Sequence, residues 1–278
     1  MILLRRIWHL RRAAQLASLF CSPAGTLRVV AKAARLAAND AGPRRAARPT
    51  TLELGELGTV AVRDFSELLV LWEVFVARVY DVPELPDAAE IVVDLGCNVG
   101  ASLLWFRRRY PEARLVGYEA DPVTAGLARR NTSALSDVEV HAVAIAAQDG
   151  ETTLWRLPGQ SWASGTAPAG DDSPRDASPV TVRAVTLDAV LRRLGAPVDV
   201  LKIDIEGAEH AVLEPATELE RVGVVVGEYH PAPGRSWTTL RRSLPGFAVL
   251  PASAPDDAPR PFVAFRAAQG TGGATLSA

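Results

Sequence analysis

Lys202, Asp204 and Glu206 occupy every second position of a short apolar run, LKIDIEG, and are its only charged residues. Period-two alternation puts the three on one side of a strand, with Leu201, Ile203 and Ile205 on the other. In a strand buried on both faces unpaired charges are too costly to leave standing, so they pair with one another or serve a ligand. Lys202 is one of two lysines among 30 basic residues, an exception to a strong preference for arginine. A Lys202–Asp204 ion pair closing the end of a sheet is the purely structural alternative. Charges clustered at the carboxyl end of a strand are where sites form, which favours a catalytic or ligand-orienting role for at least two of them. Glu228 and His230 end the next apolar run and would stand beside this cluster. Of four histidines, His230 is the one at the end of an expected strand there, where an imidazole can exchange protons near neutral pH.

A second candidate is the turn Asp94-Leu95-Gly96-Cys97-Asn98-Val99-Gly100, between an apolar run and a helix. Its glycines let backbone approach a ligand closely, and the helix start offers unpaired N–H groups. The dinucleotide fingerprint G-x-G-x-x-G laid on Gly96 needs glycine at position 98 and a small residue at 101; Asn98 and Ala101 make a poor match. Asp94, two residues before Gly96, would repel a pyrophosphate and suit an ammonium or sulfonium charge. Glu119 closes the next apolar run 19 positions after Gly100, where a carboxylate can accept both hydroxyl hydrogens of a ribose. A solvated strand-end charge is the alternative for Glu119.

Positioning these residues requires strands that alternate with helices. Residues 91–97, 114–120, 138–145, 198–205 and 222–229 read as strands, and 101–110, 121–135, 186–194 and 208–213 as helices. Asp121-Pro122 supplies an N-cap and a first-turn proline. Residues 247–250 and 262–265 suit a closing hairpin at the sheet edge. The pattern implies an α/β fold, a doubly wound and mostly parallel sheet covered on both faces, with ligands at the carboxyl ends of its strands. Ahead of it, residues 52–80 read as a small hairpin and a helix over 67–79. Residues 157–180 are rich in Pro, Gly, Ser and Asp and read as a mobile flap.

The chain has 278 residues, 48% of them hydrophobic and 22% charged, with net charge −2, which places it among globular proteins and argues against nucleic acid as a partner. Two cysteines, Cys21 and Cys97, cannot build a disulfide framework, so reduced thiols and a cytoplasmic setting are expected. Charge is uneven: residues 1–50 carry ten basic side chains against Asp40 alone, giving +9 there and −11 in the remainder. Leu3, Ile7, Leu10, Ala14 and Ala17 fall on one helical stripe, with Arg5, His9 and Arg12 on another. Arginines at 5, 6, 11 and 12 interrupt any stretch able to span a bilayer or act as a signal peptide. The favoured reading is a basic helical extension, residues 1–58, packed on the catalytic domain at 59–278 or on a second subunit. Peripheral contact with an anionic membrane through residues 1–50 is the alternative.

The glycine turn, Gly117-Tyr118-Glu119-Ala120-Asp121-Pro122, the 140–150 strand and turn, Thr186-Leu187-Asp188 and LKIDIEGAE at 201–209 together resemble the FkbM family of S-adenosylmethionine-dependent methyltransferases, in order across residues 59–265. The resemblance implies a Rossmann-like class I methyltransferase sheet of seven strands in the order 3-2-1-4-5-7-6, and methyl transfer to an oxygen, often on a natural product or glycan. It implies that Asp94, Gly96, Cys97, Asn98 and Gly100 hold the methionine part of S-adenosylmethionine, that Glu119 holds the ribose, and that Ala120 and Ala144 flank the adenine. The protein would place a hydroxylated small-molecule acceptor in line, exclude water and remove one proton. His230 is the expected base, with Asp204 or Glu206 second and Lys202 orienting a carboxylate or the nascent alkoxide. A divalent cation on Asp204, Glu206 and Glu228 would lower the hydroxyl's pKa instead, but is not favoured, and no metal ligands are assigned. The rival readings are a nucleotide-cofactor oxidoreductase, which Asp94 and Asn98 disfavour, and a non-catalytic protein that kept the fold.

Overall fold

A computed structural model describes residues 2–39, 48–156 and 178–266. It opens with α1 (Ile2–Phe20) and α2 (Pro23–Asn39), the hairpin β1 (Thr50–Glu53) and β2 (Thr59–Val62), and α3 (Phe65–Trp72). Asp64 caps α3 by accepting the Glu67 N–H. The helix then widens into a π turn over Glu73–Ala77, which Arg78 ends in a left-handed conformation. Next come β3 (Ile91–Leu95), α4 (Ala101–Arg109), β4 (Arg114–Glu119), α5 (Pro122–Thr132), β5 (Val138–Ala142) and β6 (Ala144–Ile145). After β7 (Gly150–Arg156), β8 (Ser178–Val185) and α6 (Leu187–Leu194), the chain continues through β9 (Val198–Ile203), α7 (Glu209–Leu213), β10 (Val222–Tyr229), α8 (Trp237–Arg242), β11 (Ala248–Leu250) and β12 (Arg260–Phe265).

The main sheet has seven strands in the order β11-β12-β10-β9-β3-β4-β5. Counted along the chain from the β5 edge this is 3-2-1-4-5-7-6, the class I methyltransferase order. The five strands from β5 to β10 run parallel, and β12 is antiparallel to both its neighbours. Central β3 pairs with β9 in a register that sets Asp94 opposite Lys202. Parallel strands deliver their carboxyl ends to one edge, where the candidate residues gather.

Four details differ from the sequence reading. The expected strand over 138–145 breaks at Val143, and Ala144–Ile145 turn away to pair with β8 in a second sheet of order β6-β8-β7. Strands β7 and β8 were not anticipated, although Thr152 to Trp155 and Val180 to Val182 carry β-branched and aromatic side chains suited to pleated backbone. Of the expected flap, residues 157–177 lie outside the described residues and 178–180 belong to β8. Strand β9 also stops at Ile203, so Asp204 and Glu206 are not presented by strand alternation; they lie on the turn that follows, Glu206 with φ +54°.

Val92 and Val93 point to opposite faces of the sheet, and each anchors a separate core. One core joins the sheet to α4, α3 and the inner faces of α1 and α2, through Ala13, Leu16, Ala17, Val29, Ala33 and Leu36. Full burial of leucines or valines such as these contributes roughly 1.5–3 kcal/mol each. The other packs Leu201, Ile203 and Val225 against Leu213, Tyr229 and Trp237. Between β9 and β10, Gly227 lies so close to its neighbour that an added Cβ would stand 2.0 Å from the Ile203 carbonyl oxygen.

Candidate active site

A cavity of about 480 Å³ opens at the carboxyl ends of β3, β4, β9 and β10. Gly96, Cys97 and Asn98 line it from the first turn, Glu119 and Ala120 from the end of β4, Ala144 from β6, and Lys202, Asp204, Glu206, Glu228 and His230 from the ends of β9 and β10 and the turns after them. The structure thus brings together ten of the twelve expected site residues, with Glu228 beside them. Asp94 and Gly100 stand off the wall.

The turn owes its shape to close backbone packing. Gly96 has φ +80°, and a Cβ there would sit 1.9 Å from the Asp204 carbonyl oxygen, so only glycine lets the turn touch the end of β9. Asn98 has φ +47°, a left-handed conformation asparagine tolerates better than most residues. Glu119 accepts the Asn98 N–H at 3.0 Å and the Asp121 N–H at 2.9 Å. Burial pushes its carboxyl up to about 7, against the pull of those two N–H groups and Lys202. Ala120, Val143, Ala144, Ile145 and Leu154 form an apolar slot beside it.

Asp94 is fully buried behind this turn. Its carboxylate faces Lys202 Nζ at 2.9 Å and accepts the Ser102 hydroxyl, so the cation it meets is the protein's own ammonium rather than a ligand. Lys202 also donates to the Gly96 carbonyl at 2.7 Å and the Leu95 carbonyl at 3.3 Å. Burial opposes its charge, yet Asp94 and Asp204 outweigh that and raise its pKa. Gly100, with φ +86°, closes the turn through its N–H to the Cys97 carbonyl at 2.7 Å and starts α4.

At the other end of the cavity Tyr80 donates its hydroxyl to Asp204 at 2.7 Å. His230 lies between two carboxylates, Nδ1 at 3.0 Å from Glu209 and Nε2 at 3.4 Å from Glu206. Glu209 is fully buried and also accepts the Ile205 and Gly207 N–H groups, which makes it a fixed anchor for the ring. Burial disfavours the charged imidazole, but the hydrogen bond and charge of Glu209, with Glu206 and Asp204 behind it, push His230 up to about 10. Glu206 is pushed up to about 8 by burial and by Asp204, with His230 opposing. Glu73, at the start of the π turn, is pushed up to about 7 by burial and then by Glu228 and Asp204. These carboxylates favour the imidazolium form of His230, and Glu206 titrates nearer neutrality than His230. Asp204, Glu228 and His230 offer ligand atoms within 4.8 Å of one another, the set among the described residues able to hold a metal ion.

The remaining wall comes from α3 and its π turn, where Leu69, Val70, Trp72, Val74 and Ala77 give a largely apolar surface. The Trp72 indole donates to Gln15 of α1 at 3.0 Å, and the Arg12 guanidinium lies 4.1 Å from its ring centroid. Glu209, Tyr80 and Glu73 were not expected at the site. Glu209 sits in the LKIDIEGAE string, which was the available signal; Tyr80 and Glu73 precede the sheet, and nothing local ties them to it.

The FkbM methyltransferase domain matches residues 94–252, more than half of the chain. The chain belongs to the FkbM methyltransferase family. This FkbM methyltransferase is therefore dependent on S-adenosylmethionine. It is 29% identical over 199 residues to methyltransferase sdnD of Sordaria araneosa, covering 61% of this chain and 76% of that protein. It is 27% identical over 159 residues to the 2-O-methyltransferase NoeI of Sinorhizobium fredii, covering 52% of this chain and 65% of NoeI. Among solved structures, the O-methyltransferase from Bacillus cereus in complex with SAH is 17% identical, covers 72% of this chain and 77% of its own, and superposes with a TM-score of 0.37. Among the described residues no helix is long and apolar enough to cross a membrane.

The donor set of the cavity fits S-adenosylmethionine. A buried carboxylate able to accept vicinal hydroxyls and an apolar slot next to it suit the ribose and the adenine.

Proposed function

We propose that this FkbM methyltransferase methylates a hydroxyl oxygen of a small molecule, a natural product or a sugar or glycan. The observation that carries the reading is the Glu206–His230 pair, a proton-handling device on the same cavity as Glu119 and the glycine turn. The name of NoeI, a 2-O-methyltransferase, supports oxygen as the acceptor atom. Gly96, Cys97 and Asn98 would hold the methionine part of S-adenosylmethionine, Glu119 the ribose, and Ala120 and Ala144 the adenine, with Asp94 and Gly100 shaping the turn from behind. Bound there, the cofactor supplies an activated methyl group on a sulfonium.

The chain's own residues then place the acceptor, exclude water and move one proton. The apolar wall from Leu69 to Ala77 excludes water. Glu206 takes the hydroxyl proton, because its pKa of about 8 makes it the better matched acceptor. The His230 imidazolium, oriented by Glu209, steadies the alkoxide that develops. Lys202 holds the turn to the end of β9 and keeps Asp204 in place.

Incubating the protein with methyl-labelled donor and a panel of hydroxylated metabolites and glycans tests this reading. An O-linked methyl in the product, lost in Glu206→Gln, is the expected result. Transfer only to nitrogen or carbon would refute the acceptor atom, and donor binding without any transfer would favour a non-catalytic role.

A further inference from the structure

We propose that the α1–α2 hairpin docks on an anionic lipid surface through its outward face. Residues 1–39 contain seven basic side chains and no acidic one. Beyond its first residue Pro23, the exposed positions on α2 among the described side chains are Ala24, Leu27, Arg28, Ala31, Ala34 and Arg35, whose three- and four-residue spacing makes one continuous stripe. On α1 the exposed positions among the described side chains, Ile7, Trp8, Arg11, Ser18 and Leu19, follow the same rule. The inner faces of both helices are already spent on the core, so the fold does not require this outward surface.

Six large apolar side chains are exposed among the described residues, and four are on this hairpin: Ile7 at 55%, Trp8 at 41%, Leu19 at 53% and Leu27 at 71%. Bulky apolar groups mixed with arginine, without a single carboxylate, suit the boundary between headgroups and acyl chains. There the apolar tips enter the lipid while guanidinium groups meet phosphate and serine headgroups. Lys32 is not part of the stripe, since it turns inward to the Thr51 carbonyl and Glu53. A second copy of the chain is a poor occupant, because it would press two strongly cationic faces together. This inference does not depend on the acceptor chosen by the active site.

Co-sedimentation of the full chain with phosphatidylcholine vesicles, with and without about a third of phosphatidylserine, tests it. Binding should require the serine lipid and weaken as salt rises. The double variant Arg28→Glu, Arg35→Glu should lower partitioning roughly 25-fold or more, at about fivefold for each arginine lost from an anionic surface. Leu19→Glu with Leu27→Glu should also lower it, and both variants should keep the wild-type melting temperature and donor affinity, since these side chains lie outside the core and the cavity. Equal partitioning onto neutral and anionic vesicles, no binding to either, or full retention by the double variants would overturn the proposal. So would a concentration-dependent dimer that Leu27→Glu abolishes, which would give the face to a second copy.

Discussion

Lys202 Nζ stands 2.9 Å from Asp94 Oδ1 across the parallel strands β3 and β9, and 3.8 Å from Asp204. The same ammonium donates to the Gly96 carbonyl, so one side chain ties the glycine turn to the carboxylate-lined end of the cavity. Replacing it by methionine leaves Asp94 as a sealed charge with the Ser102 hydroxyl as its remaining side-chain partner. Lys202→Met is expected to destabilise the fold by about 3–5 kcal/mol in urea titration, and adding Asp94→Asn should recover a substantial part. A loss below about 1 kcal/mol would mean that water reaches the pair.

The pH dependence of turnover separates the two candidate proton acceptors. A base must be deprotonated to act, so with Glu206 in that role the rate rises with pH through about 8 and then levels. With His230 in that role the rise continues to about 10. The expected profile breaks near 8, and Glu206→Gln removes the break with roughly a 10²-fold loss of rate. His230→Ala should also cost roughly 10²-fold with little effect on donor affinity.

Stability should respond to pH with a definite sign. His230 is raised from 6.5 to about 10 in the folded chain, so its contribution is complete below 6.5 and is lost as pH climbs through 10. Glu206, raised from 4.5 to about 8, acts in the same direction between those values, because folding favours its protonated form. Melting temperature should therefore fall from pH 6.5 to pH 10, and His230→Gln should flatten that slope. A slope unchanged in the variant would remove His230 from the balance.

Glu209 lies outside the cavity wall and is expected to act by positioning His230. Glu209→Gln keeps an oxygen for the Ile205 and Gly207 N–H groups but removes the charge that faces Nδ1. The His230 titration followed by NMR should move down from about 10, and turnover should fall about tenfold or more while donor affinity holds. An unchanged titration would show that Glu206 alone holds the imidazolium.

Chelation addresses the remaining alternative. With Glu206 as the proton acceptor, exhaustive treatment with EDTA should leave turnover within about twofold. Loss restored by magnesium or manganese would reassign Asp204, Glu228 and His230 as ligands.

Much of this arrangement is legible in the sequence because its signals are local. Alternating apolar runs, the Asp121-Pro122 cap and the glycine turn each declare their geometry within a few residues, and the strand order follows from the family they resemble. The expected residues at strand ends that line the cavity were legible for the same reason. Partnership was less legible. Asp94 reads as a ligand for a cation, yet the β3–β9 register spends it on Lys202, a contact between residues 108 apart in the chain that no local pattern encodes. The protonation state of His230 depends on Glu209, Glu206 and Asp204 converging after the chain leaves β9. Glu73 and Tyr80 come from a segment ahead of the sheet and reach the cavity only through packing.

Gly227 gives the cavity a fixed dimension. No methyl fits between it and Ile203, so β9, which ends one residue before Asp204, and β10, which carries Glu228, close to a spacing that any larger residue would wedge open. Redesign of the cavity thus has a rigid seam to leave alone and a wall from Leu69 to Ala77 whose Leu71, Val74 and Phe75 also belong to the core.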